Sequence, residues 1–122
     1  MPQPDSEDFR TICPTGSVPE GLVVPHYLPD RKLRVALARV GGRFYAFDDL
    51  CPCAKPACPL SAGLLSSTII MCQCHGSRFD INNGAVIDGP AINPLQTHEI
   101  QILDGAIQIR LNPIERRLSD SE

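Results

Sequence analysis

The stretch Cys72-Gln73-Cys74-His75-Gly76-Ser77-Arg78-Phe79-Asp80 places two cysteines and one histidine within four consecutive residues. A second cysteine-rich stretch lies upstream and reads Cys51-Pro52-Cys53-Ala54-Lys55-Pro56-Ala57-Cys58-Pro59-Leu60-Ser61-Ala62-Gly63. Each stretch follows a segment with the pattern of a strand, so two loops at one end of a pair of sheets can converge. Five cysteines and one histidine in two loops are more than packing requires. They indicate a metal site or a disulfide, formed by loops at about residues 51–63 and 72–80.

The composition is that of a small globular protein rather than of a nucleic-acid or membrane protein. The chain has 122 residues, enough for one domain, and its net charge of −3 is of the wrong sign for a nucleic-acid partner. No apolar run approaches the roughly 20 residues that span a bilayer, so no membrane segment is expected. Residues 1–8 lack the basic start and apolar centre of a secretory signal. We therefore expect a soluble, cytoplasmic protein, in which six cysteines favour metal or redox chemistry.

Strand and turn patterns dominate the chain outside the two loops. Leu33–Val40 (LRVALARV) alternates as a half-buried strand does, and Gly41-Gly42 joins it to Arg43–Phe47 in a predicted hairpin. An Asp-Gly pair at 104–105 joins 100–103 to 106–111, and a third hairpin is predicted for 79–81 and 85–87. Twelve prolines and nine glycines imply many turns and few helices. The sequence thus predicts an all-β sandwich or small barrel.

One folded domain accounts for most of the chain. We predict a disordered lead at residues 1–8, a domain at 9–111 and a charged tail at 112–122. Residues 51–67 interrupt the strand pattern and hold three cysteines, so we interpret them as a functional loop. Three residues outside the loops are interpreted as ordinary: Cys13 as a lone thiol, His26 as a loop or surface residue, and His98 as a half-buried strand residue.

The second loop resembles the second half of the Rieske signature, in which Cys-x-x-His supplies one thiolate and one imidazole to a two-iron cluster. Three further segments are similar to the same family: Tyr45–Pro52, Pro59–Gly63 and Gly89–Leu95. The resemblance covers about residues 33–111, with the motifs in the family's order. It implies a Rieske-like antiparallel β-sandwich with a two-loop cluster-binding subdomain, and a [2Fe-2S] cluster as the cofactor.

Individual residues receive roles from this resemblance. Cys72 would bind the inner iron and His75 the outer, more exposed iron. Cys58 and Cys74 match the extra pair that forms a disulfide between the loops in high-potential members. Ser77 matches the position whose hydroxyl donates to a bridging sulfur and raises the reduction potential. Its companion near the cluster would be Pro90, in the third of the similar segments.

The first loop departs from the family, because the expected Cys-x-His motif is absent. Counting forward from Asp49 makes Cys51 and Cys53 the ligands and leaves 18 residues before the second loop. Counting back from Cys58 makes Cys53 the first ligand and puts Lys55 in the histidine position, with the family's usual 16 residues before the second loop.

Ligand chemistry favours the forward count. A thiolate binds ferric iron well, whereas a lysine amine is mostly protonated at neutral pH and has no lone pair to donate. We therefore predict Cys51 and Cys72 on the inner iron, and Cys53 and His75 on the outer iron. Lys55 is the rival for the fourth ligand, and Cys51 and Cys53 are close enough in sequence to exchange roles.

The predicted function is the transfer of single electrons. The resemblance implies a soluble ferredoxin or the ferredoxin component of an oxygenase system, with a reductase and an oxygenase or other acceptor as partners. No serine–histidine–acid set, phosphate loop or carboxylate pair marks the chain as an enzyme. A third thiolate in place of an imidazole adds negative charge, which predicts a lower reduction potential than that of a two-histidine centre.

Two other functions remain open at the level of the sequence. A zinc-binding structural module would use the same cysteines, although its ligands are usually spaced two to four residues apart and Cys-x-Cys pairs fit poorly. The missing histidine is also compatible with a cluster-free Rieske-like subunit or redox sensor that retains the Cys58–Cys74 disulfide.

Overall fold

The computed structural model describes residues 9–51, 58–74, 76–89 and 91–111. The predicted lead at 1–8 and tail at 112–122 lie outside the described residues. Within the described ranges the strands are β1 Phe9–Pro14, β2 Val23–Leu28, β3 Leu33–Val40, β4 Arg43–Asp48, β5 Leu64–Ser66, β6 Ile69–Met71, β7 Arg78–Asp80, β8 Val86–Asp88, β9 Thr97–Leu103 and β10 Ala106–Arg110. Two single-turn 3₁₀ helices occupy Thr15–Ser17 and Leu60–Ala62.

The strands form two antiparallel sheets, which confirms the all-β prediction. The larger sheet has six strands in the order β1-β10-β9-β4-β3-β2, and the smaller has four in the order β5-β6-β7-β8. The two halves of the larger sheet meet at β4 and β9, where Ala46 pairs with His98 and Phe47 with Thr97. No helix within the described ranges is long and apolar enough to cross a bilayer.

The predicted hairpins are confirmed where the turn chemistry is local. Gly41 and Gly42 join β3 to β4 with φ of 61° and 81°, and Asp104 and Gly105 join β9 to β10 with φ of 51° and 75°. Positive φ at both central residues is what a two-residue hairpin turn requires. The third hairpin pairs β7 with β8 and carries a register shift between Arg78 and Phe79.

Strand β3 is buried on both faces, so its interpretation as a half-buried strand was wrong. Val35 and Leu37 pack in one buried cluster, with Ile107 and Ile109. The alternate residues Ala36 and Ala38 pack in the other cluster, which contains side chains of the smaller sheet. Small side chains on that face permit close approach of a second layer. The smaller sheet is therefore held against the middle of the larger one.

The segment 51–67 is more ordered than predicted. Its second half contains the 3₁₀ helix Leu60–Ala62 and strand β5, which pairs with β6. Three-residue strands are too short to show a clear alternation in the sequence, which explains why the prediction missed this one. The first loop is closed at its base by an isolated bridge between Leu50 and Pro59.

Candidate metal centre

The second loop is a tight connection between β6 and β7. Met71 and Arg78 are register partners, so the two strands end at the same level. Inside the loop, the Cys72 N–H donates to the Ser77 carbonyl at 2.8 Å and the Gly76 N–H donates to the Cys72 carbonyl at 2.9 Å. Gly76 has φ of 79°, a conformation that a side chain would strain. These local contacts hold Cys72 at the base of the loop, fully buried.

The first loop begins at Cys51, three residues after β4 ends at Asp48. The Cys51 N–H donates to the Cys58 carbonyl at 2.8 Å, and Leu50 bridges to Pro59 one step below. Cys51 is buried, with 2% of its surface exposed, whereas Leu50 beside it is 45% exposed. Between Cys51 and Cys58 the predicted ligand Cys53 and its rival Lys55 lie outside the described residues.

A disulfide between Cys58 and Cys74 joins the two loops, with their Cα atoms 6.4 Å apart. The Cys72 sulfur lies within 4.8 Å of both sulfurs of this bridge. Cys74 is exposed, while Cys51 and Cys72 lie in the same buried cluster beneath it. Cys58 and Cys74, the pair that the resemblance implies, are therefore bonded on the solvent side. Cys51 and Cys72 lie below this disulfide.

Ser77 is fully buried, and its Oγ accepts the Ala91 N–H at 3.0 Å. This contact ties the second loop to the segment that follows Gly89. A serine hydroxyl that accepts one hydrogen bond still has its own proton to donate. The backbone thus fixes the position of the hydroxyl oxygen, and its proton can serve as a donor. The other residue predicted near the cluster, Pro90, lies outside the described residues, as does the predicted ligand His75.

His98, His26 and Cys13 lie in strands of the larger sheet, outside the two loops. His98 is buried in β9, where its Nε2 lies 2.8 Å from Asp48 Oδ1, so it links the two halves of the larger sheet. His26 lies half-buried in β2 opposite Val35, so it is in a strand and not in the loop that was one of its two predicted places. Burial lowers the pKa of its imidazole. Cys13 is buried in β1, and burial raises the pKa of its thiol.

The donor set fits an iron–sulfur cluster held by two loops. Cys51 and Cys72 are buried sulfur donors at the base of different loops, which is the placement required of the ligands to an inner iron. Thiolates are the ligands that iron–sulfur clusters use. Ser77 adds a buried hydroxyl within the second loop, a group that can donate to a sulfur atom.

Known proteins share this arrangement of sequence and fold. The sequence profile of the family described as "Rieske [2Fe-2S] domain" matches residues 8–99. The 3-phenylpropionate/cinnamic acid dioxygenase ferredoxin subunit of Escherichia coli (strain K12) is 33% identical over 100 residues, which cover 81% of this chain and 90% of that protein. The structure of the Sphingomonas yanoikuyae B1 ferredoxin has 31% identity and a TM-score of 0.76, covering 84% of this chain and 98% of that one. A chain in a complex of reduced oxygenase and oxidized ferredoxin in carbazole 1,9a-dioxygenase has 25% identity and a TM-score of 0.75, covering 84% and 93%.

Proposed function

The chain belongs to the Rieske [2Fe-2S] domain family, and from that membership we propose that it carries single electrons as the ferredoxin component of an oxygenase system. The family, the fold and the [2Fe-2S] cofactor predicted from the sequence are confirmed by the matches to ferredoxins over most of both chains. The observation that carries the function is the pair of loops joined by Cys58–Cys74 over the buried Cys51 and Cys72. When bound, the cluster supplies the one-electron couple.

We propose the ligands Cys51 and Cys72 for the inner iron and Cys53 and His75 for the outer iron, with Lys55 as the rival fourth ligand. Two observations support Cys51. Its side chain is buried, and its N–H bond to the Cys58 carbonyl fixes it at the base of the loop. In the backward count this cysteine is not a ligand, and its burial beside the site would have no role in the centre.

Electron transfer requires a partner to approach the loops closely. Two apolar side chains beside the loops are exposed: Leu50 at 45% and Ile92 at 87%. Exposed apolar side chains near a redox centre suit a small, transient interface. We propose that a reductase and an oxygenase bind here in turn. The chain is an electron-transfer protein rather than an enzyme, as its ferredoxin-subunit relatives are. Its cytoplasmic location and the domain limits 9–111 stay predictions.

Purification after expression with added iron tests this function. We expect a red-brown protein with visible absorption, about two irons per chain and a paramagnetic signal on one-electron reduction. A colourless protein that holds zinc would instead support the structural zinc module. A colourless protein without metal would support the cluster-free subunit or sensor. The disulfide already disfavours the zinc module, because it removes two of the loop cysteines from metal binding.

A further inference from the structure

Asp49 is a fully buried carboxylate that none of the ligand chemistry uses. It stands between the end of β4 and Cys51, at the entrance to the first loop. Burying a carboxylate is costly unless charged and hydrogen-bonding partners replace the lost water. The hydrogen-bonding partners of Asp49 therefore indicate its role.

Three donors from two separate segments satisfy this carboxylate. Its Oδ2 accepts Arg34 Nε at 2.5 Å and the Ser61 hydroxyl at 3.0 Å, and its Oδ1 accepts the Ser61 N–H at 2.7 Å. The backbone of Asp49 adds two contacts: its N–H donates to the Arg34 carbonyl at 2.9 Å, and its carbonyl accepts the Leu60 N–H. Asp49 thus joins β3 to the segment that leaves the first loop.

The contacts to Leu60 and Ser61 cap the 3₁₀ helix Leu60–Ala62 from outside. The first N–H groups of a helix lack partners within it, and a side-chain oxygen just before the helix usually accepts them. Here the preceding residue is Pro59, which makes no side-chain cap bond. Asp49 supplies the missing acceptors with its carbonyl and its carboxylate.

These bonds also fix the register at the base of the first loop. Going upward, Asp49 contacts Leu60, Leu50 bridges to Pro59 and Cys51 bonds to Cys58. Exposure alternates along this short ladder, from 0% at Asp49 to 45% at Leu50 and 2% at Cys51. A slip of one residue in an antiparallel ladder turns every side chain to the other face. In this loop a slip would turn Cys51 from the buried interior toward solvent.

We infer that Arg34, Asp49 and Ser61, which we name the Asp49 clamp, are positioning residues that hold the register of the first loop and keep Cys51 directed at the cluster. The inference rests on the proposed function, since it assigns the clamp to the same site. Local opening of the loop exposes Cys51 and releases the cluster while the rest of the sheet remains folded.

Cluster retention in clamp variants of the full chain is the first test. Asp49→Asn removes the charge and places an amide donor where donors converge, so we expect cluster loss to chelator at least about tenfold faster than in wild type. Ser61→Ala removes one hydroxyl bond and leaves the N–H bond, so we expect a smaller acceleration, of about threefold. Arg34→Gln is a second route if Asp49→Asn fails to fold. Asp30→Asn, which breaks the exposed pair with Arg10, is the matched control and should retain the cluster as wild type does.

Thiol labelling of the same full-length chains after iron removal separates positioning from general stability. In the clamp variants the Cys51 thiol should react faster. Cys13, which is buried in a different hydrophobic cluster, should react at the wild-type rate. An equal rise at both cysteines would mean global destabilisation, and an unchanged Cys51 rate would mean no control of the loop; either overturns the inference. If the wild-type protein binds no cluster, the proposed function fails, and the two labelling rates still decide whether the clamp controls the loop.

Discussion

Each of the two ligand loops places one cysteine in the same buried hydrophobic cluster, but different contacts hold the two cysteines there. In the second loop the restraints are local, since Cys72 bonds to Ser77 and Gly76 within one tight turn between paired strands. In the first loop the side-chain restraints are distant, since the partners of the Asp49 carboxylate are 12 and 15 residues away in sequence. The disulfide, with a sequence separation of 16, is the covalent link between the two. A local turn needs little support from the fold, whereas the first loop depends on β3 and on the 3₁₀ helix.

The largest expected effect is the loss of the cluster on changing Cys72 to serine. Serine keeps the size of the side chain, but its hydroxyl is a far weaker ligand for iron than a thiolate. We expect the iron content and the visible absorption to fall to background. Cys13 is a buried thiol in the second hydrophobic cluster, away from the predicted ligands. The matched variant Cys13→Ser should therefore keep its iron content and its visible absorption. Full iron content in Cys72→Ser would remove the best-supported ligand of the second loop.

Breaking the link between the loops should have the next largest effect. The double change Cys58→Ser/Cys74→Ser removes a cross-link with a sequence separation of 16. A cross-link of this span stabilises the folded state by ~3 kcal/mol through the chain entropy of the unfolded state. Denaturant unfolding of wild type and variant, compared with wild type under a dithiol reductant, measures this difference. Because the described restraints on the first loop include contacts to distant segments, Cys51 labelling should increase more than Cys72 labelling. Equal increases would contradict the contrast between the loops.

An exchange at Cys53 tests the ligand chemistry of the first loop. Cys53→His restores the family's Cys-x-His pattern in the forward count and replaces a thiolate with a neutral imidazole. The cluster should be retained, its reduction potential should rise, and a second redox-linked ionisation should appear beside that of His75. Redox titration over a range of pH measures both.

Lys55→Ala is the control for that exchange, and it should leave the potential and the cluster content unchanged. Loss of the cluster in Lys55→Ala alone would reverse the assignment in favour of the backward count.

The contrast between the loops also explains what the sequence could predict. Residue types at adjacent positions specify the hairpins at Gly41-Gly42 and Asp104-Gly105, so their turns were predicted correctly. The second-loop motif is equally local. Asp48 and Asp49 are neighbours of the same type, yet Asp48 contacts His98 and Asp49 contacts Arg34. Only the tertiary structure separates these two roles, and for this reason the clamp was not predicted.

Burial of β3 on its alanine face was missed for a related reason. Ala36 and Ala38 occupy positions that a half-buried strand would give to solvent, and alanine is compatible with either environment. The smaller sheet that covers them is formed by strands of three residues each. The sequence predicted its hairpin of β7 and β8 but not β5, because three residues are too few to show a clear alternation.

The smallest expected effect is that of Ser77→Ala. This change should alter the reduction potential rather than the retention of the iron–sulfur cluster. The change removes the acceptor of the Ala91 N–H, which costs ~1 kcal/mol, and it removes the hydroxyl donor that the resemblance assigns to a bridging sulfur. A donor to a cluster sulfur stabilises the reduced state, so its loss should lower the reduction potential. Ser61→Ala, which removes a hydroxyl from the first loop, should instead speed cluster loss and leave the potential near that of wild type. Potentials and cluster half-lives measured on both variants would show this crossed pattern. If both variants changed only the potential, or both changed only the half-life, this contrast would be wrong. The Ser61 hydroxyl would then not act on loop position alone, or the Ser77 hydroxyl would not act on the potential alone.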